Sequence, residues 1–351
     1  MTRIAIMILF GISLSSCLKD DQLKLQDHGF EPKALADGLG VSTPEAESVN
    51  RQQLKQAFDL FYSEQELPRA KGLVIMRNGS IVAEAYCQDT DDISKIDNVQ
   101  SCTKSITSLL IGIAIRDGLI KSVQDPVYDY LPEHFDGNIS KRKISVRNCL
   151  TLQAGLEYTG TKESERMVNH KGSSITYVLN KSMVADTGSV FLYSDFPPQL
   201  LTGILNKVTS SGILVYAGNK LFTPLGIKKY KWEATDDGIP IGAFSLFITT
   251  RDLARIGQLC IQNGNWNGVS LIDPAWIKSI SVKQAKNVDY GYGFYTDQNT
   301  GTYTMQGNGG QFVYINPSKS LVIAYTADPY TDAELWGDRN KLINLIRNAC
   351  K

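Results

Sequence analysis

Between Glu47 and Tyr62 (ESVNRQQLKQAFDLFY) apolar side chains recur at Val49, Leu54, Phe58 and Phe61, a helical spacing. Two strand-like runs follow, Gly72 to Met76 and Ile81 to Tyr86, and the Asn78-Gly79 pair between them signals a hairpin. A long, mostly apolar helix is predicted from Ser101 to about Arg116, stopped by Asp117-Gly118. From about Asp125 to Lys231 the pattern breaks into short helices and loops. Thr249-Thr250-Arg251-Asp252 then opens a helix through Leu253, Ile256 and Leu259, with the spacing of a capping box. Strand patterns return at Tyr290–Tyr295, Thr302–Met305, Gln311–Ile315 and Leu321–Thr326, before an amphipathic helix carrying Leu335, Leu342, Leu345 and Ile346. Strands at both ends of a helical middle predict an α+β fold. It would hold one antiparallel sheet flanked by helices, with an inserted, mostly helical region at about 125–235.

The first residues follow another pattern. Arg3 precedes an apolar run from Ile4 to Leu14, shorter than the roughly 20 residues of a membrane-spanning helix. A positive start, a short apolar core and small residues describe a secretory signal at 1–16. It ends Leu14-Ser15-Ser16-Cys17, which resembles a bacterial lipobox and implies lipidation of Cys17; a plain signal with an incidental cysteine is the alternative. Lys19-Asp20-Asp21 resembles the export signal of surface lipoproteins, or is a solvated linker. Residues 17–49 read as a polar tether before a catalytic domain at 50–351. These features predict a cell-envelope location, with the bacterial membrane as partner through a lipid anchor.

Composition narrows the chemistry. Basic and acidic residues number 36 each, with no basic stretch, so a nucleic-acid partner has no electrostatic support. Beyond Cys17, five cysteines at irregular spacing (Cys87, Cys102, Cys149, Cys260, Cys350) form no disulfide framework, although one bridge is possible. The three histidines, His28, His134 and His170, lack ligand spacing, and there is no CxxC, GxSxG or phosphate loop. No metal or cofactor is expected. A hydrolase built from this inventory would activate its nucleophile with lysine.

S-x-x-K occurs three times, at Ser16-Lys19, Ser101-Lys104 and Ser140-Lys143. The first straddles the signal cleavage site and the third lies in a charged loop. Only Ser101 opens a long apolar helix, where residues three apart share a face and the Lys104 amine can reach the Ser101 hydroxyl. Burial of that first turn is expected to lower the lysine pKa, as a general base requires. The helix N-terminus and the Ser101 N–H would favour an oxyanion. A serine cap with a snorkelling lysine is the plainer alternative.

From this motif onward the chain resembles the β-lactamase-related serine hydrolases. That group includes class C β-lactamases, D-alanyl-D-alanine carboxypeptidases, some esterases and 6-aminohexanoate-dimer hydrolases. The likeness rests on NVQSCTKSITSLLIGIA, on DPVYDYLPE (125–133) and on VRNCLTLQAGL (146–156), and runs from about Gly72 to Asp328. It implies a β-lactamase/transpeptidase-like fold. FLYSDFPP then matches the family's Y-x-N segment and implies that Tyr193 relays a proton. Asp195 stands where asparagine is usual and, when ionised, can only accept hydrogen bonds. Tyr193 could instead be a core aromatic and Asp195 a helix cap.

QGNGGQFVYINP (306–317) resembles the family's third motif, a strand lining the cleft. Asn308 would take the cationic or imidazole position, Gly309 and Gly310 would let substrate approach, and the Gln311 N–H would complete an oxyanion hole with Ser101. A glycine-rich hairpin is the alternative. The missing lysine or histidine points toward a neutral ester or amide. These residues imply a serine hydrolase acting by an acyl-enzyme on a small-molecule ester or amide. The alternatives are a β-lactamase, a D-alanyl-D-alanine carboxypeptidase, or a non-catalytic ligand-binding surface lipoprotein.

Overall fold

The structure is a computed structural model that describes residues 25–88, 90–135 and 137–351. The expected signal segment 1–16 and the expected lipidation site Cys17 lie outside the described residues. The large sheet has seven strands: β1 (Gly40–Val41), β2 (Ala70–Arg77), β3 (Ser80–Tyr86), β4 (Tyr295–Asp297), β5 (Thr302–Gln306), β6 (Phe312–Asn316) and β7 (Leu321–Ala327). Their spatial order is β1-β3-β2-β7-β6-β5-β4. All neighbours are antiparallel except β1, which pairs parallel with β3. Asn78 and Gly79 both have positive φ, +50° and +89°, as the tight β2–β3 turn requires.

Side-chain alternation on β7 explains the layers. Leu321, Ile323 and Tyr325 face one core with Leu54, Phe58 and Phe61 of helix α1 (Arg51–Phe61). Leu342 and Ile346 of helix α6 (Arg339–Ala349) join them. Val322 and Ala324 face the other core. There they share apolar contacts with Ile256 and Leu259 of α5 (Thr250–Ile261) and Ile106, Leu109 and Leu110 of α2 (Cys102–Arg116). The Thr249 side chain caps α5 at the Asp252 N–H. Between the sheet halves the chain is helical and includes α3 (Thr161–Asn169) and α4 (Phe196–Val208). α2 therefore lies between the sheet and the helical region, with its N-terminus where they meet.

Four expectations change. The tether ends early: from Leu25 the chain is docked, with the Gln26 N–H donating to Cys87 O, Phe30 stacked on Phe58, and β1 added to the sheet edge. The strand expected at Tyr290–Tyr295 is a glycine-bent segment, because Gly293 at φ +80° turns it toward α2 and its carbonyl accepts from Ser105 Oγ (2.6 Å). The last helix starts at Arg339 rather than near Leu335, since Gly337 (φ +68°) breaks the pattern and Asp338 caps the new start. The possible disulfide is absent: Cys87, Cys102, Cys149, Cys260 and Cys350 are all free and buried.

Candidate active site

Ser101 occupies the N-cap position of α2. The residue before it, Gln100, has φ +50°, which is costly for a side chain that is not glycine. Asn98 Oδ1 holds the Gln100 N–H (2.8 Å) and Pro329 O holds its side-chain amide (2.9 Å), so this sharp turn presents Ser101 from a fixed backbone. One helical turn on, Lys104 is 4% exposed. Its Nζ donates to Ser101 Oγ (3.0 Å), Asp195 Oδ1 (2.6 Å) and Ala243 O (3.2 Å). Those three acceptors use all three ammonium protons.

Asp195 stands at the N-cap position of α4 but makes no capping hydrogen bond. Pro197 and Pro198 follow Phe196, so the N–H groups that a cap would satisfy do not exist. The carboxylate turns instead to Lys104. Its second oxygen accepts from Ser164 Oγ (2.6 Å) and Tyr158 OH (3.2 Å). Lys181 fixes α3, which carries Ser164, by pairing with Glu163 at 2.6 Å.

This pairing overturns the expected lysine pKa. Burial does push the Lys104 pKa down, but the Asp195 charge and then Tyr193 outweigh it, and the net shift is upward. Asp195 responds in the opposite sense. Burial raises its pKa, yet Lys104, Ser164 and Tyr158 hold it below the usual carboxylate range. The site at neutral pH therefore contains an ammonium–carboxylate pair, and Lys104 is a donor to Ser101 rather than a free base.

Tyr193 is 39% exposed, not a core aromatic. Its ring centre lies 4.8 Å from Lys104 Nζ, and it stacks with Tyr295 at 6.4 Å. The third segment (306–317) places Asn308–Gly310 on a single turn of 3-10 helix between β5 and β6, and its strand, β6, begins only at Phe312. Gly307 packs against Val99 and Gln100, where a Cβ would come within 2.6 Å of Val99 O, and this sets the turn beside Ser101. Asn308 donates its side-chain amide to Pro329 O (3.1 Å). Gly309 and Gly310 have φ of +73° and +91°; neither lines the cavity. The Gln311 side chain is fully buried and clamps the Ala327 backbone, accepting from its N–H (3.0 Å) and donating to its O (2.8 Å). Among the described residues, neither the Ser101 nor the Gln311 backbone N–H has a hydrogen-bond partner.

Ser101, Tyr193 and Asp195 open onto one cavity of about 750 Å³, together with Tyr158, Ser164 and Asn308. Sequence reasoning did not single out Tyr158 or Ser164, which lie in no motif. No group of three or more metal-ligating side chains occurs among the described residues.

A family model described as "Beta-lactamase" matches residues 70–347. The chain belongs to the Beta-lactamase family. A family relative, the 6-aminohexanoate-dimer hydrolase of Paenarthrobacter ureafaciens, is 22% identical over 338 residues, covering 87% of this chain and 81% of the relative. The solved structure of a family VIII carboxylesterase superposes with a TM-score of 0.67 at 16% identity, covering 88% of this chain and 99% of that one. A penicillin-binding protein homolog from Caulobacter crescentus gives a TM-score of 0.65 at 18% identity, covering 85% and 97%. At such identities these structures establish the shared α+β fold, a seven-stranded, mostly antiparallel sheet with a helical insertion.

Proposed function

We propose that this Beta-lactamase-family hydrolase cleaves an ester or amide through an acyl-enzyme on Ser101. The observation that carries the reading is the 3.0 Å hydrogen bond from Lys104 Nζ to Ser101 Oγ at the wall of an open cavity. A donor ammonium lowers the energy of the serine alkoxide as it forms, which is electrostatic catalysis rather than proton abstraction. Tyr193 completes the proton path, accepting the Ser101 proton while passing its own to the leaving group. The Ser101 N–H, at the cavity lining and without a partner among the described residues, is one oxyanion donor; the resemblance of the third motif assigns the second to the Gln311 N–H. Water then enters by the same relay, releases the acyl group and returns the proton to Ser101.

The names of two relatives, a 6-aminohexanoate-dimer hydrolase and a family VIII carboxylesterase, fit an ester or amide, while the family's own name keeps a β-lactam as the rival substrate. Turnover of a nitrophenyl ester and of a chromogenic cephalosporin by the same preparation separates the two. Ester turnover abolished by Ser101→Ala supports the reading; cephalosporin turnover alone overturns the substrate class. We also propose envelope anchoring through Cys17, on the lipobox-like sequence alone; metabolic labelling with an alkynyl fatty acid, lost in Cys17→Ser, tests it.

A further inference from the structure

Arg339 is the one basic side chain lining the Ser101 cavity among the described residues. It opens α6, and its stem packs along the glycine turn: a Cβ on Gly310 would lie 3.5 Å from Arg339 Cδ. Its guanidinium carbon sits 5.0 Å from the centre of the Trp336 ring. A guanidinium carries five donors and keeps its charge at any ordinary pH. By contrast, two buried arginines of α5 are matched by carboxylates, Arg251 by Asp37 and Glu84, Arg255 by Asp252.

Among the described residues Arg339 has no such match. Its electrostatic neighbours are Tyr325 and Cys102, and its burial, the main influence, pulls its pKa below the ordinary arginine value. The adjacent Asp338 uses its carboxylate on the Lys341 N–H (2.9 Å). Of the acidic groups in the same lining, Asp195 is paired with Lys104 and Glu233 with Lys231, while Glu165 is exposed to solvent. The cavity wall thus holds a partly desolvated cation with no internal anion, beside the turn that flanks the nucleophile. Charge-assisted bonding to a carboxylate is what such a group lacks.

We propose that Arg339 is an anion subsite of the Ser101 cavity, and that the substrate carries a carboxylate or similar anionic group on one side of its scissile ester or amide bond. This rests on the acyl-enzyme reading above. It revises the neutral substrate suggested by Asn308: the cation comes from the start of α6, not from the third motif.

The test compares kcat/KM of the wild type and Arg339→Gln on matched esters. Mono-4-nitrophenyl adipate against 4-nitrophenyl hexanoate reads an anion on the acyl side; 3-carboxy-4-nitrophenyl butyrate against 4-nitrophenyl butyrate reads one on the leaving group. On at least one pair, Arg339→Gln is expected to lose about tenfold or more on the anionic ester, chiefly through KM, with its neutral partner little changed. Arg339→Lys restores part of that loss. Equal losses within both pairs, or none in either, would overturn the subsite. Equilibrium binding of the same anionic esters to Ser101→Ala and to Ser101→Ala/Arg339→Gln reads recognition without chemistry. Tighter binding by the protein with Arg339 keeps the subsite even where the wild type hydrolyses no ester, a result that sinks the hydrolase reading alone. Equal binding of both esters by the two proteins removes the subsite.

Discussion

Lys104 Nζ and Asp195 Oδ1 lie 2.6 Å apart, the carboxylate at the cavity lining and the ammonium buried behind it. Lys104 contributes stability below the ordinary lysine pKa and loses it as pH rises through its raised folded value. Asp195 contributes stability above the ordinary carboxylate pKa and loses it as pH falls through its lowered folded value. The pair is therefore intact across the neutral range.

Asp195→Asn removes the charge that keeps Lys104 protonated. Burial then acts unopposed by that carboxylate, so the Lys104 pKa falls, and the alkaline limb of the kcat/KM profile moves to lower pH. At neutral pH the expected loss in kcat/KM is about ten- to a hundredfold. Leaving a buried charge unpaired also costs about 3–5 kcal/mol of stability, visible as a lower Tm. An unchanged alkaline limb would show that the pair does not control Lys104.

Ser164→Ala deletes one of the two hydroxyl donors to Asp195 Oδ2. About 1–3 kcal/mol is the usual cost of leaving such an acceptor short. Thermal denaturation at neutral pH should show it. The loss should shrink at a pH low enough to protonate Asp195, where the carboxylate no longer needs both donors. A Tm equal to wild type at every pH would contradict this placement.

The Ser101–Lys104 pairing was legible in the sequence because a helix places residues three apart on one face, a local rule. The sheet was legible through local runs too: Leu321–Thr326 is a short, nearly continuous apolar run, as a strand buried on both faces requires, and Leu321 and Val322 enter opposite cores. The state of Lys104 was not legible, because its partner lies 91 positions away and burial alone argues for the opposite shift. Pro197 and Pro198 held the missing signal, since they deny Asp195 a capping role. Ser164 and Arg339 carry no motif at all; only the packing of α3 and α6 brings them to Ser101. The docked stretch from Leu25 looked polar because it adds an edge strand and a few anchors such as Phe30, not a continuous apolar face.

Cys102 neighbours Ser101 yet cannot replace it. Burial pushes its thiol pKa up to about 12, and Cys87 and Cys260 likewise. Folded protein treated with a thiol-specific disulfide reagent at pH 8 is expected to leave Cys87, Cys102, Cys149, Cys260 and Cys350 unmodified, and denaturant should expose all of them. Rapid labelling of Cys102 in the native state would contradict its burial.

Gly309 lies in the turn flanking Ser101 at φ +73°, where a Cβ would come within 2.2 Å of Asp328 O. Gly309→Ala must move the turn or the backbone at Asp328. A loss of about 1–3 kcal/mol is expected for such strain, with reduced turnover because the Gln311 N–H moves with the turn. Circular dichroism melting and ester turnover check the two effects; wild-type values for both would contradict the packing described.

The nucleophilic role of Ser101 is tested most directly by intact-mass analysis of folded protein exposed to a fluorophosphonate, followed by peptide mapping. One phosphonyl adduct per chain is expected, located on Ser101, absent in Ser101→Ala and slowed by about a hundredfold or more in Lys104→Ala. No adduct on the folded wild type, or an adduct on another residue that persists in Ser101→Ala, would contradict it.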